Sequence, residues 1–138
     1  MNDKEIKHKT NQAMFALMNE KGVIAPVDVL MAIGVLSKPD YERWRRGDMR
    51  RGDIDYLERV CKINLGKLST LLREMREFAG KNNLKPSWTF YKRWSGGKVK
   101  RKSAQPEKLR FSKSGAENIE RSYATHYISQ KTLDRLKD

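Results

Sequence analysis

The sequence predicts a mainly α-helical protein: an N-terminal bundle of five helices, then a small basic region with a short helix and a candidate β-hairpin. Three observations lead there. Apolar residues recur three and four apart through the first 80 residues. Capping side chains, Pro or Gly bracket each such stretch. Beyond residue 84 the helical spacing gives way to clustered rings and cations. The expected units are residues 1–80, a helical bundle; 81–128, a basic aromatic region packed on it; and 129–138, a flexible tail.

Ile6, Ala13, Met14, Leu17 and Met18 share one helical stripe, so residues 4–20 read as a helix that Gly22 stops. Pro26 suits a first helical turn, and VDVLMAIG carries a second helix over 26–33 to Gly34. Ser37 is a good cap for a third, with Pro39 in its first turn and its end near Arg46. Asp53 caps IDYLERVCKI, whose Ile54, Leu57, Val60 and Cys61 share a face, giving a fourth. Leu65, Leu68, Leu71, Leu72 and Met75 form the stripe of a fifth over 65–79, stopped by Gly80 and two asparagines.

KPSWTFYKRW reads either as a short helix from Pro86 or as an aromatic strand. GGKVKRKSAQPEK reads as an exposed basic arm. LRFSKSG alternates like a strand, AENIERS like a helical turn, and YATHYI like a strand that pairs with 109–111. SQKTLDRLKD reads as a fraying tail.

The net charge of +13 is unevenly spread. Residues 85–113 hold ten basic side chains and one acid, Glu107, so +9 of the total lies in 29 residues. Such crowding repels itself unless a polyanion neutralises it. Rings interleave with the cations, which favours nucleic acid, DNA or RNA, over an anionic membrane. No run of 18 apolar residues exists, and the polar start lacks the apolar core of a secretion signal. The single Cys61 forms no internal disulfide, and the expected location is cytoplasmic.

From Pro26 to Phe78 the order is short helix, Gly34 turn, short helix ending in ERWRRG, then two more helices. This resembles the helix-turn-helix domain of the Cro/repressor type over about residues 4–78. The resemblance implies a five-helix fold with a helix-turn-helix-like core, DNA binding, and Trp44 packed inward at the end of the third helix. The chain departs from the pattern at Leu30, where a small residue is usual. It departs again at Asp40 and Glu42, carboxylates that phosphates repel. Sequence-specific repression is therefore a secondary expectation. PDYERWR, DYLERVC, KPSWT and RFSKSG together resemble stretches of small uncharacterised bacterial proteins, a likeness that implies no activity.

YERWRRG and YKRWSGG repeat Tyr, Arg, Trp and Gly in register, at 41–47 and 91–97. A tryptophan beside arginines stacks on a base while a cation meets phosphate. The candidate contacts are Arg45, Arg46, Arg50 and Arg51 in the bundle, and Trp88, Lys92 and Arg93 in the aromatic segment. Lys98, Lys100, Arg101 and Lys102 in the arm complete them, with Arg110 and Lys113 flanking Phe111. Catalysis finds no constellation: Cys61 lies on an apolar face, and His8 and His126 are far apart. One Cys and two His make no zinc site, no Gly-rich phosphate loop is present, and no cofactor is expected. Asp48, Asp53 and Asp55 sit among arginines that compete for them. A non-enzymatic nucleic-acid-binding protein is the leading expectation. The alternative is an inhibitor or adaptor that docks on an acidic protein or a ribonucleoprotein.

Overall fold

A computed structural model describes residues 1–46, 56–88, 91 and 109–137. These residues form a mainly helical protein with a small sheet. The helices are α1 (Asp3–Glu20), α2 (Pro26–Ala32), α3 (Lys38–Arg46), α4 (Leu65–Lys81), α5 (Glu117–Ala124) and α6 (Gln130–Lys137). The strands are β1 (Val23–Ile24), β2 (Lys85–Trp88) and β3 (Thr125–Ile128). No helix among the described residues is long and apolar enough to cross a membrane.

α1 begins where the Asn2 side chain accepts from the Glu5 N–H at 2.8 Å, with Asp3 and Glu5 complementing the helix dipole. Its buried stripe, Ile6, Thr10, Ala13, Met14 and Leu17, packs on α4. α4 starts likewise, with the Asn64 side chain accepting from the Lys67 N–H, and buries Leu68, Leu71, Met75 and Phe78. Asn11 fastens the two helices by donating to Glu74 at 2.6 Å. Gly22 ends α1 at φ +74°, a conformation that glycine adopts without strain. α2 has Pro26 in its first turn, and the Asp28 carboxylate accepts from the Ala25 N–H. The turn through Gly34, φ +85°, leads to α3, where Ser37 Oγ accepts from the Asp40 N–H.

Four expectations change. The helix expected over IDYLERVCKI is, in its described part, a 3₁₀ turn at Leu57–Val60. The Leu57 and Glu58 N–H groups donate instead to the carbonyls of Arg110 and Phe111, at 3.3 and 2.9 Å. The segment 109–111 is not a strand, because its backbone groups are already taken: the Leu109 N–H by Tyr91, and the Phe111 N–H by Glu120. β3 therefore pairs elsewhere, as the central strand of a sheet ordered β1-β3-β2. Both pairings are antiparallel, with Ile24 opposite Tyr127 and Trp88 opposite Thr125. Residues 130–137, expected to fray, form α6. Ser129 caps it by accepting from the Thr132 N–H, and its own N–H donates to the Gly22 carbonyl.

The core joins the α1–α4 contact to a cluster of rings. Trp44 meets Tyr91 edge-on at 5.3 Å and Phe111 at 6.0 Å, and Phe111 stacks on Tyr123 at 4.0 Å. The Trp44 indole N–H donates to the Arg110 carbonyl at 2.9 Å. Glu120 is buried beneath this cluster. Its carboxylate accepts from the Phe111 and Ser112 N–H groups and from the Ser112 hydroxyl.

Candidate nucleic-acid interface

α5 runs straight into β3, so Arg121 lies one turn before Thr125. Thr125 faces Trp88 across the ladder, which sets the indole beside Arg121. The guanidinium sits 4.6 Å from the Trp88 ring centroid. A cation held over an indole at the surface contributes about 0.5–1 kcal/mol. Trp88 remains 39 % exposed, on a strand whose four residues, Lys85 to Trp88, are all exposed. Glu117, Asn118, Arg121, Ser122 and Thr125 line a shallow hollow of about 520 Å³ beside it, so the guanidinium shares the hollow with one carboxylate. An exposed ring, a guanidinium and polar side chains on one surface are what a stacked base and its phosphate need.

The other described candidates are dispersed. The Arg45 guanidinium lies against the rings of Tyr41 and Tyr91, at 5.9 and 5.7 Å, and donates to the Tyr41 hydroxyl at 3.0 Å. Burial pushes the Tyr41 hydroxyl pKa up, and Arg45 partly offsets it. Arg46 is exposed and 3.9 Å from Glu42. Arg110 is exposed, with its guanidinium 5.3 Å from the Tyr56 ring centroid. Lys113 is exposed, and its N–H donates to Glu58. Arg110 and Lys113 flank Phe111 yet open onto different hollows, Arg110 beside Glu117 and Lys113 beside Leu65 and Ile119. The strand that was expected to align them is missing.

Trp44 is 1 % exposed and packs inward. Trp44 of the first Tyr-x-Arg-Trp segment meets Tyr91, the one described residue of the second. Arg50, Arg51, Lys92, Arg93, Lys98, Lys100, Arg101 and Lys102 lie outside the described residues, as do Asp48, Asp53, Asp55, Phe90 and Trp94.

Arg121 was missed because no local signal joins it to Trp88, 33 positions earlier. Only the β2–β3 pairing brings them together.

Burial, with Glu58 and Asp40 adding, pushes the Cys61 thiol up to about 12. His126 Nδ1 is 2.7 Å from the Ala124 carbonyl, and its ring leans on Tyr91. No three His, Cys, Asp or Glu among the described residues converge to hold a metal ion.

No known protein family, curated protein or solved structure matches this chain, so its own geometry carries the functional reading.

Proposed function

We propose that this protein binds nucleic acid without catalysing a reaction, through phosphate contacts and base stacking. The observation that supports this most is the Trp88–Arg121 pair, an exposed indole under a guanidinium at the sheet edge. Trp88 lies near the start of the 29-residue stretch that holds +9 of the charge. Stacking on such a ring contributes about 1–3 kcal/mol per base. α2 and α3, joined through Gly34, keep the order of a helix-turn-helix. In this proposal they serve as scaffold rather than as a reader of the major groove. Asp40 lies in the first turn of α3, and Trp44 and Arg45 turn toward internal rings.

The test is binding of single-stranded and duplex oligonucleotides, followed by fluorescence anisotropy. Trp88→Ala is expected to weaken binding about 5- to 150-fold, the equivalent of one lost stack. Arg121→Ala is expected to weaken it less, and to weaken all sequences alike. Unchanged affinity in both folded variants would remove the proposal's main support.

A further inference from the structure

A second surface adjoins the first, sharing Ser122 and Thr125 with the hollow that Arg121 lines. Leu65, Ser69, Leu72 and Arg76 follow one another on one face of α4 and look across to Ile119, Ser122 and Tyr123. Two hollows of about 680 and 540 Å³ share Ser69, Leu72 and Ser122, and so form one trough. It follows α4 from Leu65 to Gly80, roughly 22 Å at the helical rise. Its walls are aliphatic at one end, where Leu65 is 60 % exposed and Ile119 38 % exposed. Single exposed apolar residues are ordinary, but Leu65 and Ile119 face one trough with half-buried Leu72 beside them, and together they make a patch at that end.

Charge decides the occupant. Lys113 and Arg76 line the trough, and neither side-chain cation forms an ion pair among the described residues. Glu58 is the one acid that lines the trough among the described residues, and both its oxygens are engaged, by the Tyr123 hydroxyl and the Lys113 N–H. A second copy of this chain, at +13, is repelled by these cations. A nucleic acid gains little from walls of leucine and isoleucine, which have no face for a base. A helix with an apolar stripe and acidic flanks fits both the walls and the cations.

We propose that the α4–α5 trough docks an amphipathic, acid-flanked helix of a partner protein. Ser122 and Thr125 belong to both surfaces, but neither Trp88 nor Arg121 lines the trough, and Leu65, Arg76 and Ile119 line only the trough, so substitutions there separate the two proposals.

The test uses the full chain and a fluorescein-labelled helical peptide of about sixteen residues, long enough to span the trough. The peptide carries a leucine stripe flanked by Glu, and its counterpart carries Lys on the same stripe. The Glu peptide is expected to bind at least roughly tenfold more tightly than the Lys peptide. Leu65→Ser with Ile119→Ser is expected to weaken it about tenfold, and Arg76→Gln about threefold with a shallower salt dependence. All three residues are exposed, so folding should survive, and circular dichroism checks it. Oligonucleotide affinity is expected to stay within about twofold in the Ser variant, since no phosphate contact is removed. Equal binding of the two peptides, binding of neither, or indifference to both sets of substitutions would overturn the proposal. So would a wild-type dimer in sedimentation that the Ser variant dissociates, which assigns the trough to a second copy. Loss of oligonucleotide binding in the folded Ser variant would assign it to nucleic acid instead.

Discussion

Replacing Glu120 should unfasten the segment that carries Arg110 and Lys113. The carboxylate is buried and accepts from the Phe111 N–H at 2.6 Å, the Ser112 N–H at 2.7 Å and the Ser112 hydroxyl. In Glu120→Ala the two backbone donors stay buried with nothing to donate to, at about 1–3 kcal/mol each. The Ser112 hydroxyl loses less, because the Ser114 hydroxyl, 3.4 Å away, can accept its proton instead. The expected loss is about 4 kcal/mol, a large part of a domain's usual 5–15 kcal/mol. Glu120→Gln keeps the shape and one acceptor oxygen but turns an NH₂ toward a donor, so about half that loss is expected. Urea denaturation reads both. With a slope of about 2 kcal/mol/M, Glu120→Ala should lower the midpoint by about 2 M, with the slope unchanged. Indole emission should shift to the red as well, since the Trp44 hydrogen bond to Arg110 depends on the same segment. A loss under about 1 kcal/mol in the alanine variant would refute the claim that this carboxylate holds the segment.

Gly22→Ala places a methyl on the Thr132 side chain at φ +74°, and a loss of about 1–2 kcal/mol is expected, with faster amide exchange along α6. Thr10 is 0 % exposed and its hydroxyl has no hydrogen-bond partner among the described residues, so Thr10→Val should stabilise the protein by about 1 kcal/mol in the same urea assay. Burial raises the hydroxyl pKa of both Tyr91 and Tyr123 above the ordinary 10. The unfolded chain therefore loses those protons first, so stability present below pH 10 declines above it, by about 1.4 kcal/mol per pH unit for each tyrosine. A urea midpoint that stays level from pH 9 to pH 11.5 would contradict that burial. Cys61, with its thiol pushed up to about 12, should react with iodoacetamide at pH 8 only as fast as the protein unfolds.

The elements legible in the sequence are those whose cause is local. α1 and α4 each have a stripe of apolar side chains, and both were readable from it; their asparagine caps, Asn2 and Asn64, went unread. α3 was readable from Ser37 and Pro39. What escaped depends on partners far along the chain. Leu57 and Glu58 sit in an amphipathic pattern, but their N–H groups go to residues more than fifty positions away, and the described part is a single 3₁₀ turn. β1 is two residues between two helices, and nothing in Val23–Ile24 announces that β3 will pair with it. α6 did have a local signal, the Ser129 cap, which its polar composition masked. At the site, Trp88 stood out as a ring near cations, whereas Arg121 became its neighbour only through the β2–β3 register.

The salt dependence of oligonucleotide affinity bears on the proposed function without requiring any substitution. With about six phosphates neutralised, binding to duplex should fall on the order of a thousandfold between 50 and 200 mM salt. An affinity that holds level across that range, or no binding at the lower salt, would contradict a polyanion as the partner of this chain.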